Sequence, residues 1–292
     1  MPLLQQVLDV AIPAITFLLM IAVGIDLTVE DFRKVQAAPR ALLIGTLGQY
    51  ILPVVALVML SVLKLRPEIV GGVILLASAP GGGISNYYTY LARWNVALSV
   101  TLTAISCFLA PLSMPLLLKA FEFVLGKRID FQVPLRALVG QLLLILLVPV
   151  AVGIVLRYSF PEQVSRHEKK LRRFSLLALA FLIGFIIYQT RQLLLTAWTS
   201  ISGAAACFVF LSMATGYVVG FFFRLNRTDC QTLIIEFGVR NVAIATTAAV
   251  VILKRTEFAA FAAIYFLTEA ALILIGILLL NRKKASPLAA PL

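Results

Sequence analysis

Nine apolar runs, each about as long as a bilayer is thick, decide what this chain can become. They fall at about residues 10–28, 38–63, 67–92, 95–120, 134–157, 172–190, 197–224, 229–252 and 257–281. A helix rises 1.5 Å per residue, so roughly 20 apolar residues cross the hydrocarbon layer. No water meets main-chain N–H and C=O groups there, and a helix satisfies them within one segment. The expected fold is therefore all-α, a polytopic membrane protein of about nine transmembrane helices. Composition excludes a soluble globule, because 61% of residues are hydrophobic, only 13% are charged and the mean hydropathy is +1.02.

The net charge of +12 does not point to nucleic acid. The basic residues lie in short connectors and form no aromatic-interleaved face, so the expected surroundings are the lipid bilayer. Cys107, Cys207 and Cys230 have no paired spacing, and neither a disulfide framework nor a metal site is expected from them. His167 is expected in a solvated polar loop. The first run has no basic leader and no small-residue cleavage site, and is expected to remain as a span. Lys and Arg accumulate in cytoplasmic loops. With the amino terminus outside, fifteen of them fall on the inner side and nine on the outer. The expected orientation is amino terminus outside and carboxyl terminus cytoplasmic.

Two runs are interrupted. The third contains Pro80-Gly-Gly-Gly-Ile-Ser-Asn86, and the eighth contains Glu236-Phe-Gly-Val-Arg-Asn241. Each sits in the middle of a set of three, residues 38–121 and 197–281. The sets insert with opposite orientations, which is the inverted-repeat pattern of secondary transporters, and broken helices at matching positions mark their binding sites. Pro80 removes a donor, and the glycines allow unusual dihedrals and close approach. Such stretches also serve tight helix packing. A charge at bilayer depth costs about 2.5–3.5 kcal/mol on insertion scales, so Glu236, Arg240 and the second carboxylate Glu269 point to an ion or substrate path.

The run from Pro80 through Asn86 to Ser99, together with Glu236-x-Gly-x-x-Asn241, resembles the bile acid:sodium symporter family. The likeness extends from about residue 14 to 281, and the chain resembles the shorter, nine-helix type. It implies two crossing broken helices, with a core domain moving against a panel domain. On that plan the panel is residues 1–37 and 130–192, the core is 38–129 and 193–285, and 286–292 is a short tail. The resemblance implies a first sodium site at Ser85, Asn86, Ser99, Thr103 and Glu236. It implies a second at Glu236, carbonyls around Phe237 and Val239, Gln49, and a glutamine at position 240. This chain has Arg240 there instead, which has no acceptor and stays protonated.

Three readings of Arg240 stand open. It pairs with Glu236 one turn away, or it replaces the second sodium as a tethered cation, or it holds the substrate's carboxylate bidentately. By resemblance the substrate lies near Gly82, Gly83 and Asn241, with Arg240 and Glu269 close by. Glu269 is then either the counter-charge of Arg240 or a proton carrier. The expected function is alternating-access transport of an organic anion, bile-acid-like or a small carboxylate such as pantoate. Coupling is to Na+, by one ion rather than two, or with H+ or Arg240 in its place. The expected setting is a bacterial inner membrane, with no nucleic acid and no obligate protein partner. A ligand sensor is the other class; an enzyme is not expected, for lack of a GxSxG motif or a nucleophile–base pair in the spans.

Overall fold

The computed structural model describes residues 2–28, 30, 33, 39–125 and 132–285, and among them every regular element is a helix. The tail 286–292 and the expected domain boundaries at 37/38 and 129/130 lie outside the described residues. In chain order the helices are α1 (Pro2–Asp26), α2 (Pro39–Val62), α3 (Pro67–Ser78), α4 (Ile84–Ala92), α5 (Val96–Leu125) and α6 (Leu135–Ser159). They continue with α7 (Pro161–Gln189), α8 (Arg191–Phe222), α9 (Arg227–Gly238), α10 (Val242–Ile252) and α11 (Thr256–Ala285).

Five of them are long and apolar enough to cross a membrane: α2, α5, α6, α8 and the Thr256–Leu278 part of α11. Apolar stretches in α1 and α7 are shorter, Val10–Asp26 and Arg173–Gln189. The half-helices α3 with α4, and α9 with α10, make one pass each. The chain is thus an all-α polytopic membrane protein. Phe123, Leu195 and Phe222 stand exposed on the outer faces of their helices, as lipid contact requires.

One local expectation is corrected. The basic run around Arg166 and His167 is not a loop but the first part of α7, which begins at Pro161. Proline presets the backbone of a first helical turn, and no Pro or Gly follows before Gly184 to break it. His167 is exposed there, its Nδ1 2.9 Å from the Gln163 carbonyl.

α1 lies against α6 and α7. Its approach to α6 is as close as backbones allow: a Cβ on Gly24 would sit 2.2 Å from the Val150 carbonyl oxygen, and one on Gly153 2.3 Å from that of Ile21. Small residues at such crossings let van der Waals contact accumulate where lipid gives no hydrophobic drive. α3 packs on α11, and α8 on α9 and α11.

The two breaks meet. Gly81 and Arg240 form an isolated antiparallel bridge, in which the Gly82 N–H donates to the Val239 carbonyl (3.2 Å) and the Asn241 N–H to the Pro80 carbonyl (2.9 Å). Non-helical backbone at membrane depth needs such partners, since lipid offers none. The antiparallel sense follows from two repeats that enter the membrane in opposite directions.

Candidate functional site

Around that crossing the five residues of the expected first cation site converge. Ser85 and Asn86 lie in the first turn of α4, Ser99 and Thr103 one turn apart on α5, and Glu236 in the last turn of α9. All five are buried. Glu236 Oε2 accepts from the Ser85 hydroxyl (2.7 Å) and the Ser99 hydroxyl (2.9 Å), while Oε1 accepts from the Thr103 hydroxyl (2.7 Å). Ser99 Oγ is also 3.0 Å from Asn86 Oδ1, and Ser85 Oγ is 3.3 Å from both Ser99 Oγ and Thr103 Oγ1. Three hydroxyls carry three protons for these six contacts; Ser85 and Thr103 donate to the carboxylate, and Ser99 to it or to Asn86 Oδ1. The remaining short oxygen–oxygen contacts have no proton between them. An oxygen-rich, proton-poor cluster beside a carboxylate fits a hard monovalent cation.

The residues expected at the second site come together too, but around a different charge. Gln49 sits in a tightened turn of α2, Gln49–Ile51, and Phe237 and Val239 are buried at the end of α9. The Val239 carbonyl is engaged by Gly82, as described. Arg240 occupies the centre: Nε donates to the Leu76 carbonyl (3.4 Å), Nη1 to Gln49 Oε1 (3.4 Å) and Nη2 to the Ala79 carbonyl. These two carbonyls belong to the carboxyl-terminal end of α3, the negative end of its dipole. No ion pair joins Arg240 to Glu236, Glu269 or another carboxylate among the described residues. The pairing reading of Arg240 with Glu236 is thereby corrected. The helix ends at Gly238, so the two residues no longer share the i, i+4 geometry that their spacing suggested.

On the opposite side of the crossing a cavity of about 130 Å³ opens between the breaks and the α1–α7 pair. Gly82, Gly83 and Asn241 line it, facing Met20 and Val23 of α1 and Leu179 of α7. The amino-terminal ends of α4 and α10 form this wall, with Gly83 and Asn241 at their caps. Two such ends favour a negative group. Arg240 also borders the cavity, yet Gln49, Leu76 and Ala79, which hold its guanidinium, do not. A Cβ on Gly82 would fall 2.7 Å from the Arg240 carbonyl oxygen, so only glycine lets the breaks meet.

Glu269 is not brought to this cavity; Phe266, three residues earlier on α11, is. Its carboxyl is fully buried, near Tyr88 and Tyr265, and faces the Arg240 main-chain N–H. Sequence reasoning missed several contributors: the Leu76 and Ala79 carbonyls, Ser106, whose hydroxyl accepts from the Gly81 N–H (3.1 Å), and the Thr16–Thr247 contact of 2.9 Å between α1 and α10. Carbonyls have no sequence signal, because every residue carries one.

Inverted helical triplets whose broken members cross at a buried polar cluster define a class of multi-pass membrane protein with a midplane site. A model of the sodium bile acid symporter family matches residues 13–197. The chain belongs to that family. It is 30% identical over 237 residues to a Bacillus subtilis protein called uncharacterized sodium-dependent transporter YocS, covering 80% of this chain and 71% of that one. It is 31% identical over 235 residues to the Arabidopsis thaliana protein called probable sodium/metabolite cotransporter BASS1, chloroplastic, covering 79% of this chain and 56% of that one. The human hepatic sodium/bile acid cotransporter is 26% identical over 246 residues, 82% of this chain and 69% of its own length.

Proposed function

We propose that the protein is a secondary transporter of small organic anions, coupled to a single sodium ion at Ser85, Asn86, Ser99, Thr103 and Glu236. The observation that carries this is the proton-poor oxygen cluster, assembled from both repeats beside a cavity walled by two helix amino termini. Glu236 supplies the negative charge and the hydroxyls orient it, while the first-turn amides of α4 and α10, at Gly83, Ile84, Val242 and Ala243, face the substrate's anionic group. In this reading Arg240 is a tethered second cation. Its bonds to Gln49 and the α3 carbonyls, with no carboxylate partner, support that role over substrate binding. The names of the relatives support sodium-linked transport of metabolites or bile acids. A volume of about 130 Å³, below the roughly 300–1,000 Å³ of drug-sized ligand pockets, favours a small carboxylate over a steroid.

Helices α1, α6 and α7 form the panel, and α2–α5 with α8–α11 the core. The cavity at their boundary is where alternating access acts. The expected setting is a bacterial inner membrane with the amino terminus outside. Uptake into proteoliposomes tests coupling: the natural protein gives a Hill coefficient for sodium near one, and Arg240→Gln raises it toward two. A natural protein with cooperative, two-ion dependence overturns the tethered-cation assignment. The fully buried Glu269 favours one second reading, in which it carries a proton during the cycle.

A further inference from the structure

On the side of the crossing away from the substrate cavity, Arg240 lines a second, much smaller cavity of about 20 Å³. Thr46, Gln49, Ser78 and Ser106 share its wall. A water needs about 10–15 Å³ by the same measure, so one small occupant fits and a carbon-bearing anion does not. On its wall Arg240 and the Gln49 amide nitrogen can only donate, while the hydroxyls of Thr46, Tyr50, Ser78 and Ser113 can donate or accept. Arg240 has five N–H groups, and its three bonds to Leu76, Gln49 and Ala79 leave two. Gln49 Nε2, Ser78 Oγ and Thr46 Oγ1 are buried and have no partner. Gln49 and Ser78 are 6% and 3% exposed. The Ser106 hydroxyl is already spent, accepting from Gly81 and donating to the Thr103 carbonyl (2.9 Å).

A water accepts two hydrogen bonds, fewer than the four spare N–H groups of Arg240 and Gln49. A monatomic anion accepts from every side. The charge balance points the same way, because a buried guanidinium without a carboxylate is strongly penalised. Glu236 lies across Gly81, forms no ion pair with Arg240 and already takes three hydroxyls.

We propose that this cavity binds a chloride ion, held by the free N–H groups of Arg240, the Gln49 amide and the Ser78 and Thr46 hydroxyls. The ion neutralises Arg240 and fixes the carboxyl-terminal end of α3 against α2. The site shares Arg240 and Gln49 with the second cation position, but it needs neither sodium nor substrate to hold its ion and is tested in the absence of both.

Thermal unfolding of the full-length protein in detergent, in sodium-free choline salts at constant ionic strength, reads it directly. As chloride replaces gluconate, the midpoint rises saturably, and bromide acts likewise. Ser78→Ala raises the half-saturating chloride concentration about 10- to 150-fold, the factor for one lost hydrogen bond to a charged group. Arg240→Gln abolishes the response. Equal midpoints in chloride and gluconate overturn the proposal, as does a chloride response that Ser78→Ala leaves unchanged. The serine variant is a mild change and keeps the test decisive if Arg240→Gln does not fold.

Discussion

Replacing Thr103 with valine removes one hydroxyl and almost no volume, and its consequence follows from the site's geometry. Thr103 Oγ1 donates to Glu236 Oε1 at 2.7 Å, the one hydrogen bond to that oxygen among the described residues, and both residues are fully buried. A hydrogen bond to a charged group contributes about 1.5–3 kcal/mol. The same oxygen is also one of the proposed sodium ligands, so its loss falls on ion binding and not only on folding. Converted to an equilibrium constant, sodium affinity weakens about 10- to 150-fold. The control is Thr101→Val on the same helix, whose hydroxyl donates instead to its own chain at the Ala97 carbonyl (2.8 Å). That change leaves sodium affinity within about twofold, since the lost bond touches nothing in the site. Sodium titration of the unfolding midpoint, in choline gluconate so that neither sodium nor chloride is present at the start, gives both constants. If Thr103→Val folds and binds sodium as tightly as the natural protein, Glu236 and its hydroxyls are not the cation site.

Two further outcomes follow from the crossing. Gly82→Ala places a methyl 2.7 Å from the Arg240 carbonyl oxygen, a backbone atom that cannot swing aside; it is expected to lower stability by about 1–3 kcal/mol, measured by unfolding, and to abolish uptake. Glu269→Gln keeps shape and burial but cannot carry a proton. If Glu269 is the proton carrier, uptake by this variant loses its pH dependence and no proton enters with substrate, read by a pH dye trapped in proteoliposomes. Full pH dependence in the variant excludes that role.

The oxygen cluster was legible through the family resemblance, helped by members that are unusual where they stand. Ser85, Asn86 and Glu236 interrupt apolar runs, and the i, i+4 spacing of Ser99 and Thr103 places both on one helix face. Arg240 was visible as a charge, but its partners were not. Spacing along the chain suggested Glu236, whereas the helix ends between them and the guanidinium reaches α3, some 160 residues away in sequence. Glu269 was read toward the cavity on resemblance; the rotation of α11 presents Phe266 there instead.

The sequence by itself determined that this chain crosses a membrane as helices, that two of those helices break, and which side chains are costly enough there to have a task. Hydropathy and helix periodicity are local, and so is the cost of a charge in hydrocarbon. Only the tertiary structure decided what satisfies each charge. Breaking two helices frees carbonyls and amides whose directions depend on how the repeats cross, so the negative end of α3 meets Arg240 while the amino termini of α4 and α10 meet the cavity. No residue type encodes that meeting; the antiparallel crossing at Gly81 and Arg240 does.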